Sequence, residues 1–359
     1  MTDGNSVKHL SVVMTTETAD DVIQTTGTNA VRSSSTTRVI QVYFQCAVIV
    51  IGVVGTAANA LILYAMLASK QHKKHLLIFH QNVLDFISCL LLVIISSLKV
   101  AYFYSSGSGG YWFCVLVESE YVNWVVILAS KINLIFVTIE RYLKVVYSVW
   151  SKNKLRNWMI FLAMAFAWIS GFVHMTATTF TTTKVISGRC LMFVFWKSKA
   201  SLFASRIFYF FYFYVVILII FIMCYWRILV VIRRQARVMD SHGSSSGQAQ
   251  WQQIQTNVVK TMILVSAFFA ISDLPINVYF MASLTGIRSA VTNVVYYASV
   301  FTSCFYICAN PFIYATNFDP VKRVLLGLIP CKKTSVEPAQ GVDLDSVHTA
   351  TKRKGQARN

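Results

Sequence analysis

The sequence predicts an all-α membrane protein: a seven-transmembrane helix bundle with a short amphipathic eighth helix. Two observations lead to this fold class. Hydrophobic residues make up 56% of the 359 residues and charged residues only 13%, whereas a soluble domain carries about 25% charged residues. Seven apolar runs, each longer than the ~18–20 residues that a spanning helix needs, alternate with polar or basic loops. A soluble fold would need a polar surface that this composition does not supply.

The seven apolar runs lie between two polar tails, residues 1–38 and 332–359, which we expect to be disordered. A membrane barrel would instead show ~10-residue segments of alternating hydrophobicity. Residues 240–255, rich in Ser, Gly and Gln, are expected to form a flexible linker. The bundle is predicted over residues 39–315, with spans at 39–66, 75–102, 112–145, 155–179, 203–234, 256–284 and 290–315.

A short segment after the last apolar run combines Lys322 and Arg323 with apolar residues. This pattern predicts an amphipathic helix over residues 316–331 that lies on membrane lipid. Cys331, beside two lysines, is a predicted palmitoylation site. The alternative is an unmodified cysteine.

Basic residues are concentrated in the loops on one side of the predicted bundle, which the positive-inside rule makes cytoplasmic. They include Lys70, Lys73, Lys74, Lys144, Lys152, Lys154, Arg156, Arg233, Arg234 and Arg237. We therefore expect a multi-pass protein of the plasma membrane, with the N-terminus extracellular and the C-terminus cytoplasmic. The opposite side also holds bases such as Lys184 and Lys197, so the bias is not clean. The net charge of +18 comes with no aromatic and basic module typical of nucleic-acid binding, so no nucleic-acid partner is expected.

Polar residues and prolines inside the apolar runs form an ordered set of motifs. They are Asn59, Asp85, Ser130, Glu140-Arg141-Tyr142, Trp168, Tyr225, Phe269, Pro275 and Asn310-Pro311-Phe312-Ile313-Tyr314. One such motif alone would be weak, but the complete set in this order is very specific. On these motifs the chain resembles the rhodopsin-like (class A) G-protein-coupled receptors over about residues 39–331.

The resemblance implies an activation switch that engages a heterotrimeric G protein. In physical terms, Arg141 can pair with Glu140, and breaking that pair frees a cation at the helix end. Pro275 and Pro311 each remove a backbone donor, which lets the sixth and seventh helices bend. The implied switch residues are Glu140, Arg141, Tyr142, Tyr225, Asn310, Pro311 and Tyr314. Arrestin and a receptor kinase are further implied partners.

The resemblance also implies a polar pocket, formed by Asn59, Asp85, Ser130 and Asn310, that holds Na⁺ near Asp85; no other cofactor is expected. The alternative is a polar cluster that satisfies its own hydrogen bonds. No metal-ligand spacing appears in the sequence.

The resemblance further implies a disulfide between Cys114 and Cys190, which both fall on the predicted outer side. Cys114 stands 27 residues before Arg141, two more than the family norm. The top of the third span should therefore be shifted or locally rewound.

Two charged residues depart from the family pattern in its transmission core. Lys131 lies ten residues before Arg141, ~15 Å along a helix, and the family has an apolar residue there. Asp273, two residues before Pro275, replaces the family's tryptophan, and only Phe269 is kept. Since a lone charge in a membrane is costly, we hypothesise a buried Lys131–Asp273 ion pair, either a structural lock or a sensor. The alternative is that internal water solvates each charge separately.

Two positions exclude familiar subfamilies. Cys304 stands where the family's retinal-binding lysine would be, so the chain is not expected to be an opsin. Asn123 stands at the amine-binding aspartate, so a standard monoamine receptor is not expected either. The extracellular ligand, a small molecule or a peptide, is not identified. The predicted pocket residues are Tyr121, Asn123, Trp124, Phe208, Tyr212, Tyr279 and Tyr297, although such residues also serve helix packing.

Two function classes remain open. The first is a receptor that transmits an extracellular signal to G proteins by movement of helices three, six and seven. The second is a non-signalling scavenger or proton-responsive carrier that uses the charges of Lys131, Asp273 and Asp85. An enzyme is not expected, because no set of nucleophile, base and orienting group appears.

Overall fold

The computed structural model describes residues 28–101, 108–186, 189–193, 195–242, 246–282, 284, 293–317 and 319–327. Within these residues, seven helical segments are long and apolar enough to cross a membrane; they are called spans 1 to 7. The helices are Thr28–Ala68 (span 1), Leu76–Ala101 (span 2), Ser108–Phe113 and Tyr121–Val146 (span 3), Asn157–Thr182 (span 4), Lys199–Phe210 and Val216–His242 (span 5), Ser246–Ala282 (span 6) and Asn293–Asn317 (span 7).

Shorter elements connect and interrupt the spans. Gln71–Lys73 is a 3₁₀ turn and Ser148–Lys154 a short helix. Two π-helical turns, Cys114–Glu118 and Phe211–Val215, interrupt spans 3 and 5. Strands Lys184–Ile186 and Arg189–Leu191 form an antiparallel hairpin in which Val185 pairs with Cys190.

Span 3 is the most buried of the seven spans. Spans 2, 4 and 5 pack around it, while their outer faces carry exposed apolar side chains, as lipid contact requires. Span 4 approaches closely at Gly171, where a Cβ atom would lie 2.6 Å from the carbonyl oxygen of Val125. The central position of span 3 means that its polar residues meet partners from several helices.

The top of span 3 is rewound, as the spacing between Cys114 and Arg141 predicted. After the π-helical turn, Glu120 adopts φ 53°, and the helix restarts at Tyr121. Cys114, in that turn, forms a disulfide with Cys190 of the hairpin. The implied disulfide is therefore present, and it fixes the hairpin at what we call the Cys114 end of the bundle. The opposite end is called the Arg141 end.

Two predicted boundaries need correction. The first helix begins at Thr28, inside the tail expected at 1–38, because the helix of span 1 continues past its apolar part. The linker expected at 240–255 is mostly helical, since span 5 reaches His242 and span 6 begins at Ser246; Gln and Ala are good helix formers. Of the eighth helix predicted at 316–331, the structure describes Asp319–Gly327 as helical. Cys331 and the tail 332–359 lie outside the described residues.

Candidate functional site

Lys131 and Asp273 form the hypothesised ion pair. Lys131 Nζ lies 2.8 Å from both carboxylate oxygens of Asp273, and their side chains are only 3% and 2% exposed. The pair joins the middle of span 3 to the middle of span 6. Two charges that would each be costly alone thus compensate one another inside the bundle.

Side chains from spans 5, 6 and 7 complete the shell of this pair. Asn277 Nδ2 and Ser303 Oγ each donate to Asp273 at 2.8 Å. Lys131 Nζ donates to the hydroxyl of Tyr209 at 3.2 Å and lies 5.8 Å from the ring centre of Phe269. Spans 3, 5, 6 and 7 therefore meet at one charged centre, which we call the ionic core.

A second polar cluster surrounds Asp85 in span 2. Ser130 Oγ donates to Asp85 Oδ1 at 3.0 Å and Asn310 Nδ2 to Oδ2 at 2.9 Å. Gln81 Nε2 donates to Oδ1 at 3.2 Å and also to Ser130 Oγ. Asp85, Ser130 and Asn310 converge as the resemblance implied. These three side chains and that of Gln81 are buried.

Asn59, the fourth predicted member of this pocket, does not join it. Its Nδ2 donates to the carbonyl oxygen of Gly55 at 3.0 Å and contacts Cys89 Sγ at 3.6 Å. Gly55 is one turn away on the same helix, so the NH₂ group of Asn59 is satisfied locally and not by Asp85, while its Oδ1 has no hydrogen-bond partner.

The groups around Asp85 do not fit a sodium ion as they stand. A hard cation needs several oxygen ligands, but the NH₂ group of Gln81 is within hydrogen-bonding distance of both Asp85 and Ser130. Asn133 fixes this orientation, because its Nδ2 donates to Gln81 Oε1 at 2.8 Å and to the Leu77 carbonyl at 3.1 Å. An ion could enter only if Gln81 moved away.

The sequence prediction missed Gln81, Asn133 and His80, which extend this cluster toward span 4. His80 Nδ1 lies 2.9 Å from Asn133 Oδ1, and Trp168 Nε1 donates to His80 Nε2 at 3.2 Å. Gln81 stands four residues before Asp85, so both lie on one helix face; that spacing could have revealed it.

At the Arg141 end, Arg141 is buried and its Nη2 donates to His75 Nδ1 at 2.6 Å. The expected partner Glu140 is 3.7 Å away and instead holds Lys144 at 2.5 Å. Burial and the charge of Arg141 lower the pKa of His75 to about 2, so His75 is the neutral acceptor.

The other predicted switch residues are distributed around Arg141. The hydroxyl of Tyr225 lies 3.0 Å from Thr138 Oγ1 and 2.9 Å from Ser266 Oγ, which links spans 3, 5 and 6. Tyr314 is buried in span 7, and its hydroxyl has no hydrogen-bond partner. The ring of Tyr142 packs edge-on against Tyr147 with centroids 5.7 Å apart. Pro275 and Pro311 lie inside the helices of spans 6 and 7.

A cavity of about 240 Å³ opens toward the Cys114 end, directly above the ionic core. Tyr209, which contacts Lys131, forms part of its wall. Other lining residues are Trp124, His174, Met175, Thr178, Met192, Phe193, Trp196, Ser205, Arg206, Tyr279, Phe280 and Tyr296. Trp124 and Tyr279 were predicted for the pocket; Arg206 and Tyr209 were not.

Five predicted pocket residues do not line this cavity. Asn123 is buried and accepts a hydrogen bond from Ser88 at 2.8 Å. Tyr121 bonds Thr176 at 2.8 Å on an exposed face, and Tyr297 packs on Phe44 with centroids 4.8 Å apart. Phe208 and Tyr212 stack on each other on the outer side of span 5, where Phe208 is 50% exposed.

No group of three or more His, Cys, Asp and Glu side chains that could hold a metal ion occurs among the described residues. The buried carboxylates of Asp85 and Asp273 are instead satisfied by amides, hydroxyls and the ammonium group of Lys131.

The chain matches a known protein family. The family described as "7 transmembrane receptor (rhodopsin family)" matches residues 58–314, well over half of the chain. The chain belongs to this family. It is therefore a multi-pass membrane protein of a receptor family, not of an enzyme family.

The crystal structure of squid rhodopsin is a similar solved structure. Its TM-score to this receptor is 0.66, with 14% sequence identity, and the similarity covers 81% of this chain and 86% of squid rhodopsin. At this identity the likeness shows the fold alone. A comparison with curated proteins finds no match.

Proposed function

We propose that this receptor transmits an extracellular ligand signal to a heterotrimeric G protein by movement of spans 3, 6 and 7. The main support for this function is that Tyr209, a residue of the cavity wall, contacts the Lys131–Asp273 pair. A ligand that displaces Tyr209 changes the surroundings of Lys131. Because Asp273 and Ser303 belong to spans 6 and 7, such a change reaches both mobile helices.

The Arg141 end supports the same function. Arg141 is held by a neutral histidine, His75, and only weakly by Glu140, so its release breaks one charge-assisted hydrogen bond to a neutral acceptor and no close ion pair. In the proposed active state, Arg141 leaves His75 and faces the G protein. Arrestin and a receptor kinase are proposed further partners at this end.

The proposed orientation of the bundle in the membrane is based on the distribution of its basic side chains. Exposed bases, including Lys73, Lys152, Arg233 and Lys322, concentrate at the Arg141 end. We propose that this end is cytoplasmic and that the cavity opens outside the plasma membrane. The exposed Lys322 and Arg323 of helix Asp319–Gly327 would lie at the lipid headgroups.

The test is a G-protein dissociation screen in cells, across all subtypes, with and without a ligand library. At least one subtype should respond, basally or to a ligand, and Arg141→Gln should abolish the response at equal surface expression. Arg156→Gln is the matched control, because it removes an exposed positive charge at the same end. If no subtype couples under any condition, the proposal is wrong, and the carrier alternative based on Lys131, Asp273 and Asp85 is left.

A further inference from the structure

Two free cysteines meet inside the bundle, away from the cavity and the ionic core. Cys89 of span 2 and Cys308 of span 7 have their Sγ atoms 3.4 Å apart, and both side chains are buried. A disulfide has an S–S distance of ~2.03–2.05 Å, so the sulfur atoms need to move only about 1.4 Å closer for that bond to form. The packing of spans 2 and 7 thus already brings together the two groups that a crosslink requires.

The space for the two sulfur atoms is provided by Gly55 of span 1. A Cβ atom at Gly55 would lie 2.7 Å from Cys89 Sγ and 2.8 Å from Cys308 Sγ. Any side chain at this position would therefore push the sulfur atoms aside. Because glycine has none, both thiols occupy the space beneath span 1, where the uncharged disulfide that replaces them is also well suited to apolar surroundings.

The two thiols differ in their polar contacts. Asn59 Nδ2 donates to Cys89 Sγ at 3.6 Å. A hydrogen bond donated to sulfur stabilises negative charge on that atom, and the thiolate is the nucleophilic form of cysteine. Cys89 is therefore the sulfur better prepared to attack an oxidant, and Cys308 is the second thiol, in contact with it, that can react with the oxidised product.

The place of the pair determines what a crosslink would do. Asp85 lies four residues before Cys89, and Asn310 lies two residues after Cys308. Asn310 Nδ2 donates to Asp85 Oδ2 at 2.9 Å, so the thiols and this hydrogen bond join spans 2 and 7 at neighbouring points. The hydrogen bond can break when span 7 moves, whereas a covalent bond cannot. A disulfide here would hold span 7 against span 2.

We propose that Cys89 and Cys308 are a redox modification site, at which hydrogen peroxide forms a disulfide that locks span 7 to span 2 and stops signalling. Hydrogen peroxide is uncharged and close in size to water, so it can reach a buried thiol that a charged oxidant cannot. The loss of signalling rests on the proposed receptor function, because that function requires span 7 to move. The formation of the disulfide does not depend on it.

The reaction has two steps. Cys89 Sγ attacks one oxygen of hydrogen peroxide, the O–O bond breaks, and a sulfenic acid forms while the other oxygen leaves as water with the thiol proton. Cys308 Sγ then attacks the sulfur of this sulfenic acid, the S–O bond breaks, and a second water leaves as the S–S bond forms. The two thiols together lose two electrons and two protons, and the peroxide is reduced to two molecules of water.

The first experiment measures the crosslink in the full chain, purified in lipid nanodiscs. Three other cysteines are changed to serine, namely Cys46, Cys224 and Cys331. The three thiols that remain besides the Cys114–Cys190 disulfide are Cys89, Cys304 and Cys308. After treatment with millimolar hydrogen peroxide, the protein is denatured, N-ethylmaleimide labels each remaining thiol, and mass spectrometry counts the labels. We expect the count to fall from three to one, with peptides of spans 2 and 7 linked, and dithiothreitol to restore three.

Cys304 supplies the matched control, because it is buried on the same helix one turn before Cys308. Cys304→Ala should crosslink at a rate within about two-fold of the parent. Cys308→Ala should give no linked peptide and should instead accumulate sulfenic acid at Cys89, which dimedone traps. Dimedone adducts in Cys89→Ala should be at least about ten-fold fewer, because the thiol that contacts Asn59 is then missing.

The second experiment measures signalling as nucleotide exchange on the G protein that the dissociation screen identifies. Peroxide should lower exchange by the parent at least about ten-fold, dithiothreitol should restore it, and Cys308→Ala should give the same exchange with and without peroxide. A parent that yields no linked peptide, or a linked peptide that persists in Cys308→Ala, would overturn the modification site. A crosslinked receptor that signals at its full rate would overturn the lock. Crosslinking needs no G protein, so its failure differs from a failure of the proposed function.

Discussion

The Lys131–Asp273 pair leads to the most quantitative prediction. At 2.8 Å, two unit charges attract by about 6 kcal/mol at an effective dielectric constant near 20. Removal of one partner of a buried pair typically costs ~3–5 kcal/mol. After Lys131→Met, Asp273 keeps two side-chain donors, Asn277 and Ser303, so we expect a loss near the lower value. After Asp273→Leu, Lys131 keeps only the Tyr209 hydroxyl and two ring faces, so the loss should approach the higher value.

The double variant Lys131→Met with Asp273→Leu should recover most of this loss, because no charge is then left unpaired. The measurement is the free energy of unfolding from denaturant titration in mixed micelles, with all four combinations compared as a cycle. The reversed pair, Lys131→Asp with Asp273→Lys, should rescue surface expression lost in either single change. The buried oxygen Asn277 Oδ1, which has no hydrogen-bond partner, is then available to the relocated ammonium group.

The pair Lys99–Glu120 is the matched control. Its charges are 2.6 Å apart, but its side chains are more exposed, at 8% and 16%. Its coupling energy should therefore be smaller than that of the ionic core. A coupling below about 1 kcal/mol for Lys131 and Asp273, or a reversed pair no better expressed than the single variants, would refute the reasoning.

Three further predictions concern other parts of the bundle. Exchange of NaCl for KCl should leave the melting temperature unchanged, and Gln81→Leu should create a sodium-dependent rise; a rise already present in the unchanged protein would contradict the assignment of Gln81. The pKa of His75, lowered from 6.5 to about 2 by burial and by Arg141, means that only the unfolded chain gains this proton below pH 6.5, so stability falls as the pH drops. His75→Phe should therefore flatten the decline in melting temperature between pH 7 and 5, and an unchanged slope would count against this pKa. Cys114→Ser should lower stability by about 4 kcal/mol, because the disulfide closes a loop with a sequence separation of 76; Cys190→Ser added to it should cost little more.

The ionic core could be predicted from the sequence because a charged side chain inside a membrane is rare and needs a compensating partner. The burial of Lys131 or of Asp273 alone costs free energy that only a partner or water offsets. Because the two residues have opposite charges and lie at corresponding depth, the sequence predicted that they pair. Gln81 and Asn133 carry no charge, and an amide in a span is cheaper to satisfy. Their place beside Asp85 became clear only from the packing of spans 2 and 3.

The structure does not place the predicted pocket residues of span 5 in the cavity wall, for a geometric reason. The π-helical turn Phe211–Val215 inserts an extra residue per turn and rotates everything before it relative to the rest of the helix. Phe208 consequently faces outward, the half-buried Tyr212 lies against Ser170 of span 4, and Arg206 and Tyr209 face the cavity. No proline marks this turn, since Ile217 stands at the family's proline position, so the sequence offered no signal for the rotation.

Two consecutive residues of span 3 connect the two polar clusters. Successive helix positions differ by about 100° in direction, so Ser130 faces Asp85 and Gln81 while Lys131 faces Asp273 and Tyr209. Span 7 meets both clusters as well, through Ser303 at the ionic core and Asn310 at Asp85. A rotation of span 3 that improves one set of contacts must therefore strain the other.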